Sequence, residues 1–312
     1  MIQQPINMTF TDKKFSMIIY GSPGLGKTTL ALSAPNPILI DFDRGVSRVK
    51  AYHRQLTITC STYEEVQSDI ESPEVKACET IIIDTGGSFV TYLQDWAVRS
   101  NPANRQKNGA ISLKGFGAVK SEFERFTNHI RDVLNKNVIY VFHSDEQKDT
   151  DGKVTQRLQC EGAARNMVWK PCDFGGYMQM SGENRTITFT PSSEFFAKGC
   201  HGIEGTHVIP AIGPNNKNDF LTRLFDTAKK NIAAENEAFA PLKAKYDAAM
   251  VEVHKIVDEI KTVEAANAAI TSLQAIEHAL TSENEARALL SAKAKELGLI
   301  LDKQAKVYKK EA

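Results

Sequence analysis

Between residue 15 and about residue 145, short apolar runs alternate with amphipathic stretches. The runs Met17–Tyr20, Ile38–Ile40, Leu56–Thr59, Thr80–Asp84 and Asn137–Phe142 read as strands. Three of them (MIIY, TIIID and NVIYVF) are nearly unbroken in apolar or β-branched residues, the pattern of strands covered by helices on both faces. Between them, Thr62-Tyr63-Glu64-Glu65 reads as a capping box opening a helix to Ile70. Phe89, Val90, Leu93, Trp96 and Ala97 share one helical face, as do Phe123, Phe126, Ile130, Val133 and Leu134. Strands alternating with helices predict βαβ units, and hence an α/β fold with a mostly parallel central sheet flanked by helices.

Residues 99–117 form a polar loop, and 144–165 a turn-rich stretch in which Asp151-Gly152 can close a hairpin. Thr186–Thr190 alternates like a strand. Around Ala228 the composition shifts to Ala, Glu and Lys. Phe239, Leu242, Tyr246, Ala249, Val253, Val257 and Ile260 form one helical stripe, and Val263, Ala266, Ile270, Leu273, Ile276 and Leu280 a second. Ser282-Glu283-Asn284-Glu285 opens a third helix, which Gly298 ends, and Lys303–Lys310 is a cationic run. These patterns divide the chain into a core domain over 1–227 and a helical domain over 228–312.

The 312 residues carry 38 Lys and Arg against 38 Asp and Glu, so bulk charge selects no partner. Contact with nucleic acid or a membrane would have to come from local patches. No apolar stretch approaches the roughly 20 residues that span a bilayer. Met1–Met8 lacks the basic start and apolar run of a signal peptide. The five cysteines, odd in number and widely spread, fit reduced thiols in a cytoplasmic protein. Cys160, Cys172, Cys200 and His201 match none of the familiar zinc-ligand spacings.

The strongest chemical signal is Gly21-Ser22-Pro23-Gly24-Leu25-Gly26-Lys27-Thr28-Thr29, between an apolar strand and a helix. In that context the pattern is a P-loop: glycines let the backbone wrap phosphates, with its N–H groups pointing inward at their oxygens. Lys27 supplies a charge to the β- and γ-phosphates, and the Thr28 hydroxyl a ligand for Mg²⁺. ATP and Mg²⁺ are therefore the expected ligands. Asp84, at the tip of a buried strand, suits either the Mg²⁺-organising acid or a helix N-cap. Asp41 and Asp43 end another strand on the side where open α/β sheets bind ligands; either suits the orienting of an attacking water, or a capping job. His143 closes its strand as a γ-phosphate sensor or as a plain polar terminus.

The order of these parts resembles the RecA-type ATPase core, and in particular phage-encoded RecA-like proteins proposed as ATP-dependent single-strand annealing recombinases. The residues that carry the resemblance are GSPGLGKTT (21–29), LIDFDRG (39–45), TIIIDT (80–85), LKGFGAVKSEF (113–123), VIYVFH (138–143) and FFAKG (195–199). It covers roughly residues 15–225. It implies that Asp43 polarises the attacking water, where RecA has the longer glutamate, and that His143 is the nucleotide sensor. It implies that Lys198 is a basic finger reaching a neighbour's ATP; Lys198-Gly199-Cys200 lacks the second cation of many relatives, which implies slow hydrolysis. The loops at 99–117 and 144–165 match places where RecA-like proteins hold DNA, which nominates Arg105, Lys107, Lys114, Lys120, Lys148, Lys153, Arg157 and Arg165. Met8-Thr9-Phe10 is placed to dock on an adjacent protomer. The implied partners are single-stranded DNA, further copies of the chain in a ring or filament with ATP between subunits, and a single-strand-binding protein; no membrane is implied. The alternative is an assembly or regulatory ATPase that acts on a protein partner without touching nucleic acid.

Overall fold

A computed structural model describes residues 10, 12–148, 150, 152–160, 164–302 and 304–310, with the backbone alone for 164–166. Met8, Thr9, Asp151, Lys303 and the Arg165 side chain lie outside the described residues. The described residues fall into two compact units, Asp12–Asn231 and a second made of the residues from Ile232 on together with Phe10.

In the first unit the apolar runs become strands where expected: β1 (Ser16–Gly21), β2 (Pro37–Asp41), β3 (Leu56–Thr59), β4 (Thr80–Asp84) and β5 (Asn137–Lys148). Between them lie α1 (Lys27–Ala31), α2 (Tyr63–Asp69), α3 (Pro73–Ala77), α4 (Gly86–Ser100) and α5 (Leu113–Asn128). They are followed by β6 (Val154–Leu158), α6 (Ala164–Trp169), β7 (Phe174–Ser181), β8 (Asn184–Thr188) and β9 (Thr206–Ile209). The sheet order is β3-β2-β4-β5-β1-β7-β8-β9, with β6 hanging on the extension of β5. Pairs from β3 to β7 are parallel; β7–β8, β8–β9 and β5–β6 are antiparallel.

Both faces of β1, β2, β4 and the first half of β5 are buried, which explains their apolar runs, whereas Leu56 of the edge strand β3 is 53% exposed. Ile18, Tyr20, Ile40, Ile83 and Tyr140 pack with Phe89, Leu93, Phe123 and Phe126 of α4 and α5. The alternate residues Met17, Ile19, Leu39, Ile82 and Val141 are equally inaccessible. One expected core position departs from this: Val133 is 69% exposed. The chain passes from α5 into a π-helical turn, His129–Val133, and the extra residue in that turn rotates Val133 off the buried face. The capping box at Thr62 is shifted by one residue. Thr62 accepts the Glu65 N–H, while the Glu65 carboxylate takes the N–H of Ser61 at 2.7 Å.

α7 (Phe220–Asp258) begins in the first unit and ends in the second. The second unit adds α8 (Val263–Gln274), α9 (Ser282–Glu296) and a hairpin of β10 (Leu299–Asp302) and β11 (Val307–Lys310). Tyr246, Ala249, Val253, Val257 and Ile260 are buried as expected, but Leu242, second in the first stripe, and Leu280, last in the other, are exposed. Gly298 adopts a left-handed φ of 65° just past α9, the usual helix-ending conformation. The cationic run is thus half of a small hairpin, with Tyr308 packed among Val257, Ala266 and Leu290. Among the described residues no helix is long and apolar enough to cross a membrane.

Candidate nucleotide-binding site

β1 delivers the chain to the carboxyl edge of the sheet at Gly21, where a Cβ would lie 2.4 Å from the Met178 carbonyl oxygen of β7. Only glycine lets the backbone leave the sheet there. The loop closes at Gly26, left-handed at φ 81°, and α1 begins at Lys27. α1 is only five residues long, so the anion-binding character of this edge comes from the loop backbone and Lys27 far more than from a helix dipole.

Strand register then collects the remaining groups. Gly21 stands beside His143 of β5, and Asp84 of β4 beside Asp41 of β2. The Lys27 ammonium donates to the carbonyls of Gly21 (3.0 Å) and Ser22 (2.9 Å) and lies 3.2 Å from Nδ1 of His143. A lysine has only donors, so Nδ1 accepts and the neutral imidazole carries its hydrogen on Nε2. Burial, with the Lys27 charge adding to it, holds His143 below the usual histidine pKa, which favours that neutral form. The Thr28 hydroxyl donates to Oδ2 of Asp84 at 2.5 Å. The Asp84–Thr85 peptide is cis.

The two roles open to Asp84 separate here. Thr85, not Asp84, caps α4, its hydroxyl accepting the Ser88 N–H at 3.2 Å. The two strand-end aspartates separate as well. Asp41 is buried and spends its carboxylate on the N–H groups of Gly45 (2.8 Å) and Val46 (2.9 Å). Asp43 instead faces the cleft, where Arg48 (2.7 Å) and Ser88 (3.2 Å) donate to it. The cleft has a volume of about 380 Å³ and is lined by Pro23, Gly24 and Gly26–Thr29 of the P-loop together with Asp43, Arg48, Asp84 and His143.

Burial perturbs the charged groups of this edge. It pushes the Asp84 carboxyl up to about 6, with Asp41 and Asp43 adding to the rise and the Thr28 hydrogen bond opposing it. It lowers Lys27 to about 8, against the pull of Asp84 and Asp43. A buried carboxylate touching a threonine hydroxyl, beside a desolvated lysine, suits Mg²⁺ and phosphate, which supply the opposite charges. Thr28 and Asp84 are the residues that would hold the metal. Phosphate at Lys27 raises its pKa, so binding needs the ammonium and takes up a proton once pH exceeds the free value. Nucleotide affinity is therefore expected to hold level up to about pH 8 and to fall about tenfold per unit beyond it. A fluorescent-nucleotide titration between pH 7 and 10 checks this; an affinity unchanged through pH 10 would show that the ammonium does not carry binding.

Other residues singled out in the sequence lie away from the cleft. Lys198 pairs through its backbone with Gly175, three residues before Met178 on β7, so it sits toward the opposite end of the strand from the P-loop. Its ammonium donates to the Cys172 carbonyl of its own chain. Arg105, Lys107, Lys114, Lys120, Lys148 and Lys153 are exposed. Arg157 is not spread into solvent: its guanidinium lies 3.9 Å over the Phe196 ring. Asp173, Cys200 and His201, rather than the four residues weighed from the sequence, bring their ligand atoms within 4.8 Å of one another. Lys13 and the Ser16 N–H already occupy the Asp173 carboxylate, which disfavours a cation there.

Three contributors escaped the sequence reading. Ser88 and Arg48 reach Asp43 across turns, and Arg185 of β8 lies 3.3 Å from where a Gly26 Cβ would stand. None has a local signal, since each depends on a strand pairing or turn that spacing does not reveal.

Residues 13–201 match the family described as AAA domain. The chain is also similar to the SPbeta prophage-derived uncharacterized protein YorG of Bacillus subtilis (strain 168), 24% identical over 139 residues. That match covers 44% of this chain and 42% of the relative's length. The family match takes in the P-loop, both acidic strand ends, the His143 strand and the segment around Lys198 in one stretch of more than half the chain, and so this chain belongs to the AAA-domain family of P-loop ATPases.

Proposed function

We propose that the chain is a slow ATPase that uses its nucleotide to control a grip on single-stranded DNA, in the manner of RecA-like annealing recombinases encoded by phages. One observation carries the reading. His143 touches Lys27 through its ring, and its own strand runs on without a break into the β5–β6 hairpin. The Gln159 N–H donates to the His143 carbonyl at 2.8 Å, closing the hairpin at the same residue. A group that senses the terminal phosphate is thereby built into the base of an element that projects from the sheet edge.

In this reading the phosphates lie over the P-loop with their terminal end toward Asp43 and His143. The base lies toward Arg185, Ile209 and Pro210, which flank Gly26 and Thr29 on the other side. Asp43 takes a proton from the attacking water as its oxygen bonds to the γ-phosphorus and the bond to the bridging oxygen breaks, releasing ADP. The neutral His143 donates from Nε2 to the γ-phosphate and loses that contact when phosphate leaves. Thr28 and Asp84 would hold Mg²⁺, which when bound would supply positive charge to the phosphates. Lys198, distant from its own P-loop, is offered to a neighbouring subunit in a ring or filament. Exposed Arg105, Lys107, Lys114, Lys148 and Lys153 supply phosphate contacts to DNA; Arg157 serves the hairpin's packing.

The test is a gel shift on a labelled single strand with ATP, ADP or no nucleotide. ATP-dependent binding is expected, weakening with salt at a log–log slope of about −0.7 per phosphate contacted. Binding that ignores both nucleotide and salt sinks the proposal. A regulatory ATPase acting on a protein partner is the second reading, favoured by the mixed charge of the hairpin, where Asp145 stands opposite Arg157 and Glu146 shares its strand with Lys148. It predicts nucleotide-dependent capture of a protein and no shift of DNA.

A further inference from the structure

The turn after β2 is built more firmly than a connecting loop requires. Asp41 anchors its beginning by accepting the N–H groups of Gly45 and Val46. Arg54 anchors its end, donating to the carbonyls of Ser47 (3.0 Å) and Val49 (2.9 Å). Between these two clamps stands Arg48, last residue of the short 3₁₀ turn Val46–Arg48. Its backbone is fixed while its side chain is 69% exposed and lines the nucleotide cleft. Gly45 leaves the room it needs, because a Cβ there would meet the Arg48 guanidinium at 2.3 Å. The guanidinium in this structure donates to Asp43, the carboxylate assigned to the attacking water.

We propose that Arg48 reads the terminal phosphate: it exchanges Asp43 for the γ-phosphate of bound ATP, and in doing so releases Asp43 to orient water. The inference rests on the nucleotide reading of the cleft and is independent of DNA. An exposed ion pair contributes little, so it yields to a partner of higher charge. A phosphate presents the planar guanidinium fork with two oxygens and more charge than a carboxylate. With ADP, which lacks that phosphate, Arg48 stays on Asp43 and hydrolysis chemistry is held off. Arg48 thus supplies within the chain a second cation, which Lys198-Gly199-Cys200 lacks beyond Lys198 itself.

The experiment measures affinities of the full chain for a non-hydrolysable ATP analogue and for ADP, both with Mg²⁺, in wild type, Arg48→Ala, Asp43→Asn, the double variant and Lys27→Ala. Thermal melts accompany each, and the exposed Arg48→Ala is expected to melt like wild type. Arg48→Ala should weaken the triphosphate about tenfold or more and ADP less than about twofold, in line with the loss of one charge-assisted contact. Asp43→Asn, which frees Arg48, should tighten triphosphate binding several-fold beyond any gain it gives when Arg48 is alanine. Equal losses for both nucleotides, an unchanged triphosphate affinity in Arg48→Ala, or the same Asp43→Asn gain with and without Arg48 would each overturn the proposal. Should Lys27→Ala leave both nucleotides bound as before, the nucleotide reading itself falls; a normal Lys27→Ala loss with a flat Arg48→Ala response removes only the Arg48 assignment.

Discussion

Replacing Lys27 by alanine is expected to lower Mg·ATP affinity about 100- to 1,000-fold, and the hydrolysis rate by at least as much. The ammonium is held at the carboxyl edge by three groups: the Gly21 and Ser22 carbonyls beneath it and His143 beside it. No neighbour can replace it, because among the residues lining the cleft only Arg48 is also cationic, and one guanidinium taken up by the γ-phosphate leaves the β-phosphate without a cation. The same substitution should leave the protein without nucleotide at least as stable as wild type. Lys27 is buried with its pKa lowered to about 8, so keeping it charged at pH 7 opposes folding. The paired readout is therefore a melting temperature that is unchanged or higher without nucleotide, and that no longer rises when Mg·ATP is added. A variant that still gains its full ATP-induced stabilisation would remove Lys27 from the phosphate site.

Asp84→Asn should separate stability from function more sharply. The folded chain raises the Asp84 pKa from 3.8 to about 6, so it holds the proton more tightly than the unfolded chain does. The stability this group contributes is complete below pH 3.8 and is lost as pH rises through 6. At pH 7 the ionised carboxylate opposes folding by about 3 kcal/mol. Asparagine keeps an oxygen to accept from Thr28 but carries no charge. Without nucleotide, the variant should melt on the order of 5–10 °C above wild type at pH 7, with the difference shrinking toward zero near pH 4. Mg²⁺-dependent nucleotide binding should disappear at the same time, since the metal loses its anionic ligand. Melting curves at the two pH values with and without Mg·ATP decide it; a variant less stable at pH 7, or one that keeps its magnesium response, contradicts the assignment. Function here holds the fold below the stability it would otherwise have.

The sheet and the cleft were legible in the sequence for one reason. Strands buried on both faces need unbroken apolar runs, and the residues that end those runs stand at one edge. That pattern alone gathers Gly21, Asp84 and His143 at one edge. Spacing alone left Asp41 and Asp43 equivalent, and only the resemblance favoured Asp43, because the difference is made by a turn four and five residues after Asp41, whose N–H groups claim it. Val133 was misread because periodicity assumes a uniform helix, and a π turn breaks the count. The Lys303–Lys310 run gave no hint of a hairpin, since its charges mask the alternation that seats Tyr308. Arg157 looked like a phosphate ligand only because its ring partner, Phe196, is 39 positions away.

The unbroken course of β5 constrains how such a protein can diversify. Residues lengthening the hairpin at its tip leave the sheet edge as it is, so new recognition surfaces can be grafted there freely. One residue inserted between His143 and Ser144 would turn every later side chain of the strand to its opposite side. Variation among descendants should accordingly gather at the far end of the projection and spare its root.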